Sequence, residues 1–363
     1  MSTRGSTGML MALAGSVCFA MPTDVTAQDA TWTGPGNEWT TSSNWTPATP
    51  TNTATFTNNG APTTVNISGN ASIGTMNFTA AAPAYSFNVT AGATFAINTG
   101  ITNASPTLPS FQVNFGSTLT FGDGTDVTIG SLGNGTAGGG TLVIGPTDPS
   151  AYLTIDGGTS TTFSGSISGA GSLELANVAT TLTLTGASNG GNIGTIGGDL
   201  TLCNCFGGGL AIDGGSLTVN GLSRGITVFG GTLSVVNGGT LQTGLDLLVS
   251  SAMVISGPGS SATVSGFTGI GIFGPGTLTI SKGGTLNSQG GAEIDAILGT
   301  PSVTVTGVGS TWTVGGAGLA VGGGSTDGPG TLSIANGGQV NVAGTVGVGD
   351  QGPGTSMATV TGP

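Results

Sequence analysis

GPGTLTISKGGTLN at 274–287 returns as GPGTLSIANGGQVN at 328–341, an offset of 54 residues. TVTG at 304–307 returns at 359–362, an offset of 55. Within each copy, Leu278 and Ile280, or Leu332 and Ile334, fall on one side of an extended strand. Thr and Ser fall on the other side, because successive side chains of a strand alternate. The glycines that follow permit the positive φ of a tight corner. Shorter echoes run upstream: GGSLTVN at 214–220, GGTLSVVN at 230–237, GGTLQ at 238–242, and ISGPGSS at 255–261 beside TGVGST at 306–311. One apolar face per strand cannot stabilise an isolated hairpin. Stacking each strand on its copy from the previous repeat buries all those faces in one column and pairs every backbone N–H and C=O. A β-sandwich would explain the alternation but not the near-identical repeats. The expected fold is therefore all-β, a right-handed parallel β-helix (β-solenoid), with its clearest repeats over 250–363.

Composition agrees. Gly makes up 73 of 363 residues, aromatics 5% and charged residues 5%, so a large core of Leu and Phe clusters is out of reach. Hydrophobic residues still make up 36%, enough to exclude a disordered chain. At roughly 20–25 residues per coil, residues 28–363 would make about 13–17 coils. Net charge is −12, and the bases are Arg4, Arg224 and Lys282 alone. Nucleic acid is excluded as a partner for want of clustered cations, and an anionic membrane surface for the same reason. The chain has no His, which removes Ser-His-Asp and Cys-His catalysis and every His-ligated zinc site.

Residues 1–27 read as a signal peptide: Arg4, an apolar run over 9–21, and Val25-Thr26-Ala27 as a small-x-small cleavage site. No other segment is long and apolar enough to cross a membrane as a helix. Residues 28–60 form a second unit, holding Trp32, Trp39 and Trp45, three of the four Trp. Two readings stand for it: a cap that plugs the open end of the solenoid core, or an exposed aromatic platform for sugars. Residues 61–363 are the solenoid repeats. Of the three Cys, Cys18 falls in the leader. Cys203 and Cys205 are either a disulfide, favoured by export and needing a turn at Asn204, or two thiols; a metal role lacks a third ligand.

Few side chains carry chemistry. Asp123 and Asp126 form either a surface turn or a calcium turn that lacks the tandem nonapeptide. Glu293 and Asp295 would share one strand face as a solvated pair, or as the two carboxylates of a polysaccharide hydrolase. No catalytic, cofactor-binding or metal-ligating residue emerges.

Three stretches resemble the passenger regions of bacterial autotransporters (type V secretion). ATWTGPGNEW at 30–39, with NWTP at 44–47 and ATF at 54–56, is similar to the opening common in such proteins. ISGAGSLEL at 167–175, TLTLTGASNG at 181–190 and GGDLTL at 197–202 resemble the autotransporter-associated β-strand repeat. They depart from it in lacking the usual Lys after the first strand and the aromatic before the second Gly pair. GVGSTWT at 307–313 is the third stretch. The resemblance implies display at the outer surface of a Gram-negative envelope through a C-terminal β-barrel. The 363 residues hold no such barrel and stop inside a repeat, so a fragment, a truncated product or a stand-alone solenoid is expected. The functional expectation is an exported, cell-surface or extracellular, adhesin-like structural rod without catalysis. Its partner would be a surface, a glycan or another cell. A secreted self-assembling matrix protein and a polysaccharide-active β-helix enzyme are the alternatives.

Overall fold

The structure, a computed structural model, describes residues 27–59, 61–135, 138–176, 181–186, 192–203, 208–296, 299–322, 328–349 and 354–362. The signal-peptide reading therefore falls almost wholly outside the described residues, and so does Cys205.

The chain winds as a parallel β-solenoid of about 13 turns. At ~4.8 Å between parallel strands this makes a rod about 60 Å long. One sheet of 15 strands runs its whole length. Over residues 64–133 a 4-stranded sheet faces it. From Asp126–Ile129 onward the coil becomes three-sided, with a 10-stranded and a 9-stranded sheet completing it. Among the described residues there is no α-helix, only a single 3-10 turn at Ser42–Asn44.

The register is set by the inward residues. In the 9-stranded sheet Leu233, Met253, Leu278, Val303 and Leu332 stack in one column. Val235, Ile255, Ile280, Val305 and Ile334 stack in the next. A fully buried aliphatic side chain contributes roughly 1.5–3 kcal/mol, and a one-residue slip would turn every one of them outward.

The 54-residue sequence repeat is two coils, not one: Thr277–Ser281 pairs with Ser302–Thr306, which pairs with Thr331–Ala335. Corners that alternate in length explain the doubling. After Thr277–Ser281 the chain turns through Lys282 at φ 53 and Gly283 at φ 84, both left-handed. After Ser302–Thr306 it turns through Gly307, Val308 and Gly309, with Gly309 at φ 81, and reaches Ser310. The Ser310 hydroxyl is fully buried; it donates to Thr306 O at 2.8 Å and accepts the Gly283 N–H at 3.0 Å. Ser260 does the same one pair of coils earlier, with Ser256 O at 2.8 Å and the Gly238 N–H at 3.1 Å. Each longer corner thus closes the shorter corner of the coil beside it. Replacing Ser310 with Ala should leave the N–H of half-buried Gly283 without its acceptor, lowering the unfolding free energy by about 1–2 kcal/mol. Thermal melts of Ser310→Ala against wild type measure this, with Ser281→Ala, a half-buried outward hydroxyl, as the smaller reference.

At the start of the rod, Ala30–Trp32 lies parallel to Thr53–Phe56 and antiparallel to Trp45–Thr46, which forms the last edge of the 15-stranded sheet. In the last described coil the inward positions Val346, Val348 and Val360 are exposed.

Candidate ligand face

The residues singled out in the sequence separate into distinct places. Trp32, Trp39 and Trp45 are all buried, and Trp45 packs against the other two, at 5.0 Å from Trp32 and 4.7 Å from Trp39 between ring centroids. Phe56 packs beneath them, and Phe95 meets Trp39 at 4.9 Å. The Trp45 indole N–H donates to Trp39 O at 2.7 Å and the Trp32 indole to Pro62 O at 3.2 Å. With their faces covered, these rings form no exposed sugar platform, which removes that reading. Cys203 ends the strand Leu200–Cys203 and is half-buried.

Glu293 and Asp295 are not the solvated pair that alternation suggested. The strand ends at Ile294, so Glu293 points outward half-buried while Asp295 enters the corner and is buried. The two carboxylates do not share one strand face, as a glycosidase pair on that face would need.

Corner aspartates form a recurring device, each binding the coil that follows. The Asp123 carboxylate accepts the Thr147 hydroxyl at 2.6 Å and the Thr147 and Asp148 amides at 2.8 and 2.9 Å. These bonds, the Thr147 hydroxyl foremost, hold its pKa below the usual carboxylate value. Asp29 binds Asn52 at 2.7 Å and the Thr53 amide at 3.0 Å, and its pKa is lowered, first by Asn52. Asp246 accepts the Phe267 amide at 2.8 Å. The Asp123–Asp126 turn is therefore part of this coil-to-coil bonding.

The outer face of the 10-stranded sheet carries the remaining chemistry. Near its start, Tyr152 hydrogen-bonds with Thr201 and Glu174 across neighbouring coils, and its pKa is pushed up to about 12 by burial and then by the Glu174 charge. Farther along, an apolar shelf rises. Leu248 points outward, and Ile272 folds over Gly269, where a Cβ would lie 2.6 Å from Ile272 Cγ1. Phe229 and Phe273, both exposed, meet at 5.6 Å, and Arg224 places its guanidinium 5.5 Å from the Phe273 ring.

Past the shelf the side chains shrink. Glu293, Ala320 and Gly347 follow one another in register on three coils. Together with Phe267, Gly318 and Thr345 they line a shallow groove of about 300 Å³. Such a face can bind through apolar contact and hydrogen bonds; among the described residues it offers one carboxylate and no second ionisable lining group.

Sequence reading missed this face. Its signal lies in the doublets Val228-Phe229 and Ile272-Phe273, where two large apolar neighbours break the alternation: Phe229 is exposed beside buried Val228, and Ile272 and Phe273 both lie outside the core. Comparison of the chain with protein-family models, with curated proteins and with solved structures finds no match.

Proposed function

We propose that the chain is an exported, surface-displayed rod of passenger type with a structural and adhesive role and no catalytic turnover. One observation supports this most: the corner carboxylates and hydroxyls hold coil to coil, while the 10-stranded sheet presents a long outward face with a shelf and a groove. Such an arrangement suits reach and contact. The absence of His leaves proton transfer near neutral pH to carboxylates, and Glu293 and Asp295 diverge. The resemblance to autotransporter passengers agrees with display outside the cell.

The test uses cells expressing the full chain. Surface-accessible protein should begin at Gln28, and these cells should adhere to coated surfaces better than cells lacking the gene. Purified chain should leave pectins, glucans and peptidoglycan intact. Protein retained in the cytoplasm with Met1 intact removes the exported role. Turnover that Glu293→Gln abolishes replaces the rod with a β-helix enzyme.

A further inference from the structure

The groove on the outer face of the 10-stranded sheet has a particular shape. Its floor is the step from Glu293 to Ala320 to Gly347, one residue per coil, and the space above Gly347 is open. Phe267, half-buried, stands at one end and Thr345 at the other. We infer that this groove binds a linear, uncharged polysaccharide laid along the rod axis. The inference rests on the adhesive reading and names its ligand class.

Three physical arguments favour such a chain. The first is periodicity. Coils recur every ~4.8 Å, close to the advance of one pyranose in a flat, equatorially linked chain, so successive sugars meet equivalent positions on successive coils. The second is chemistry. A pyranose has apolar C–H faces and a hydroxyl rim. Phe267 supplies apolar surface for a ring face, and the floor of Ala320 and Gly347 lets the ring approach the sheet closely. The Glu293 carboxylate accepts hydroxyl donors and the Thr345 hydroxyl both donates and accepts. The third is charge. Net charge is −12 and, among the described residues, the only ionisable group lining the groove is Glu293, so uronate, sulfate and phosphate polymers are repelled. A folded protein partner is less well matched, because a stable interface takes about 800 Å² per side and the groove offers a few side chains.

The experiment is calorimetric titration of the purified full chain with cellohexaose and with chitohexaose, and with polygalacturonate as the anionic probe. Saturable binding of at least one neutral hexasaccharide, with none of polygalacturonate, is expected. Ala320→Trp fills the floor from outside the core and should abolish binding. Phe267→Ala should weaken it roughly tenfold. Thr154→Trp, an outward substitution on the same sheet several coils away, should leave it unchanged and control for folding. The inference is overturned if neither hexasaccharide binds, if Ala320→Trp binds as wild type does, or if polygalacturonate competes equally. A protein ligand captured by wild type and lost in Ala320→Trp, without saccharide binding, also overturns it. Cell adhesion is scored in parallel. Adhesion that persists without saccharide binding removes the glycan and keeps the adhesive rod; loss of both removes both.

Discussion

Alanine in place of Trp39 should destabilise the first coils by about 3–5 kcal/mol, the range for truncating a buried Trp or Phe. The indole is 1% exposed and wedged between Trp45 at 4.7 Å and Phe95 at 4.9 Å, with Phe56 at 6.2 Å. Its removal leaves a cavity that neighbours cannot fill, because Trp45 is tethered through its own N–H to Trp39 O and Phe56 is stacked on Phe78 at 4.9 Å. A solenoid is held together by nearest-neighbour contacts, so the damage should stay local. Amide exchange should quicken over Thr53–Phe56 and Ala71–Phe78 while Ser302–Thr306 keeps its protection. Trp39→Phe, which keeps an aromatic ring in place, should show the same pattern at smaller amplitude. An even loss of protection along the whole rod would contradict coil-by-coil stability, and an unchanged melt would contradict the packing of Trp39. Exposed edges also pair with other chains, so the variant should aggregate on partial unfolding sooner than wild type.

The fold was largely legible because its determinants are local and recurrent. Leu278 and Ile280 point inward as alternation requires, and the Gly-Gly corners sit where positive φ is needed. The coil length was not legible from the 54-residue offset, since the identity that shows in sequence belongs to corner type and corner type alternates. The unit Gly-Gly-Thr-Leu also occurs twice within one coil, at 230–233 in the 9-stranded sheet and 238–241 in the 15-stranded one, so counting it overstates the number of turns. The two-sided coils before Asp126 left no signature beyond their Phe content. Glu293 and Asp295 were misread because alternation was carried past Ile294, where the strand ends. The groove is a shortage of side chains, and it appears only when the register lines up Glu293, Ala320 and Gly347. The tryptophans allowed two readings, a cap and a sugar platform, because bulk in a sequence marks what needs covering as readily as what makes contact; their burial removes the platform.

Asp199→Ala should cost about 2–3 kcal/mol at neutral pH, and that cost should shrink in acid. One carboxylate oxygen accepts four successive amides of the next coil, from Leu222 at 2.7 Å, Ser223 at 3.2 Å, Arg224 at 3.3 Å and Gly225 at 3.0 Å. The other oxygen accepts the Ser223 hydroxyl at 2.8 Å. Four converging N–H groups form an anion-binding concavity. Hydrogen bonds to an ionised acceptor are each worth about 1.5–3 kcal/mol net, but Asp199 is only half-buried, so solvent screening reduces the sum. Burial, the largest single influence, pushes its pKa up; the bonds from Leu222, Ser223 and Gly225 outweigh it and leave the pKa lowered. A depressed folded pKa means that the unfolded chain binds the proton more readily. The stabilisation is therefore complete well above the unfolded value of about 3.9 and is lost as pH falls through the lower folded value. Asp123 and Asp29 shift in the same direction and add to the acid sensitivity. Asn at 199 separates charge from shape: its oxygen can keep the four amides and its NH2 can face the Ser223 hydroxyl. Asp199→Asn should thus lose roughly half as much as Asp199→Ala at neutral pH, since charged hydrogen bonds are about twice as strong as neutral ones. Both variants should show a shallower decline in melting temperature than wild type between neutral pH and pH about 3. A wild type whose lead over Asp199→Ala grows on acidification would reverse the sign of the linkage and exclude the ionised Asp199 as the clamp between these coils.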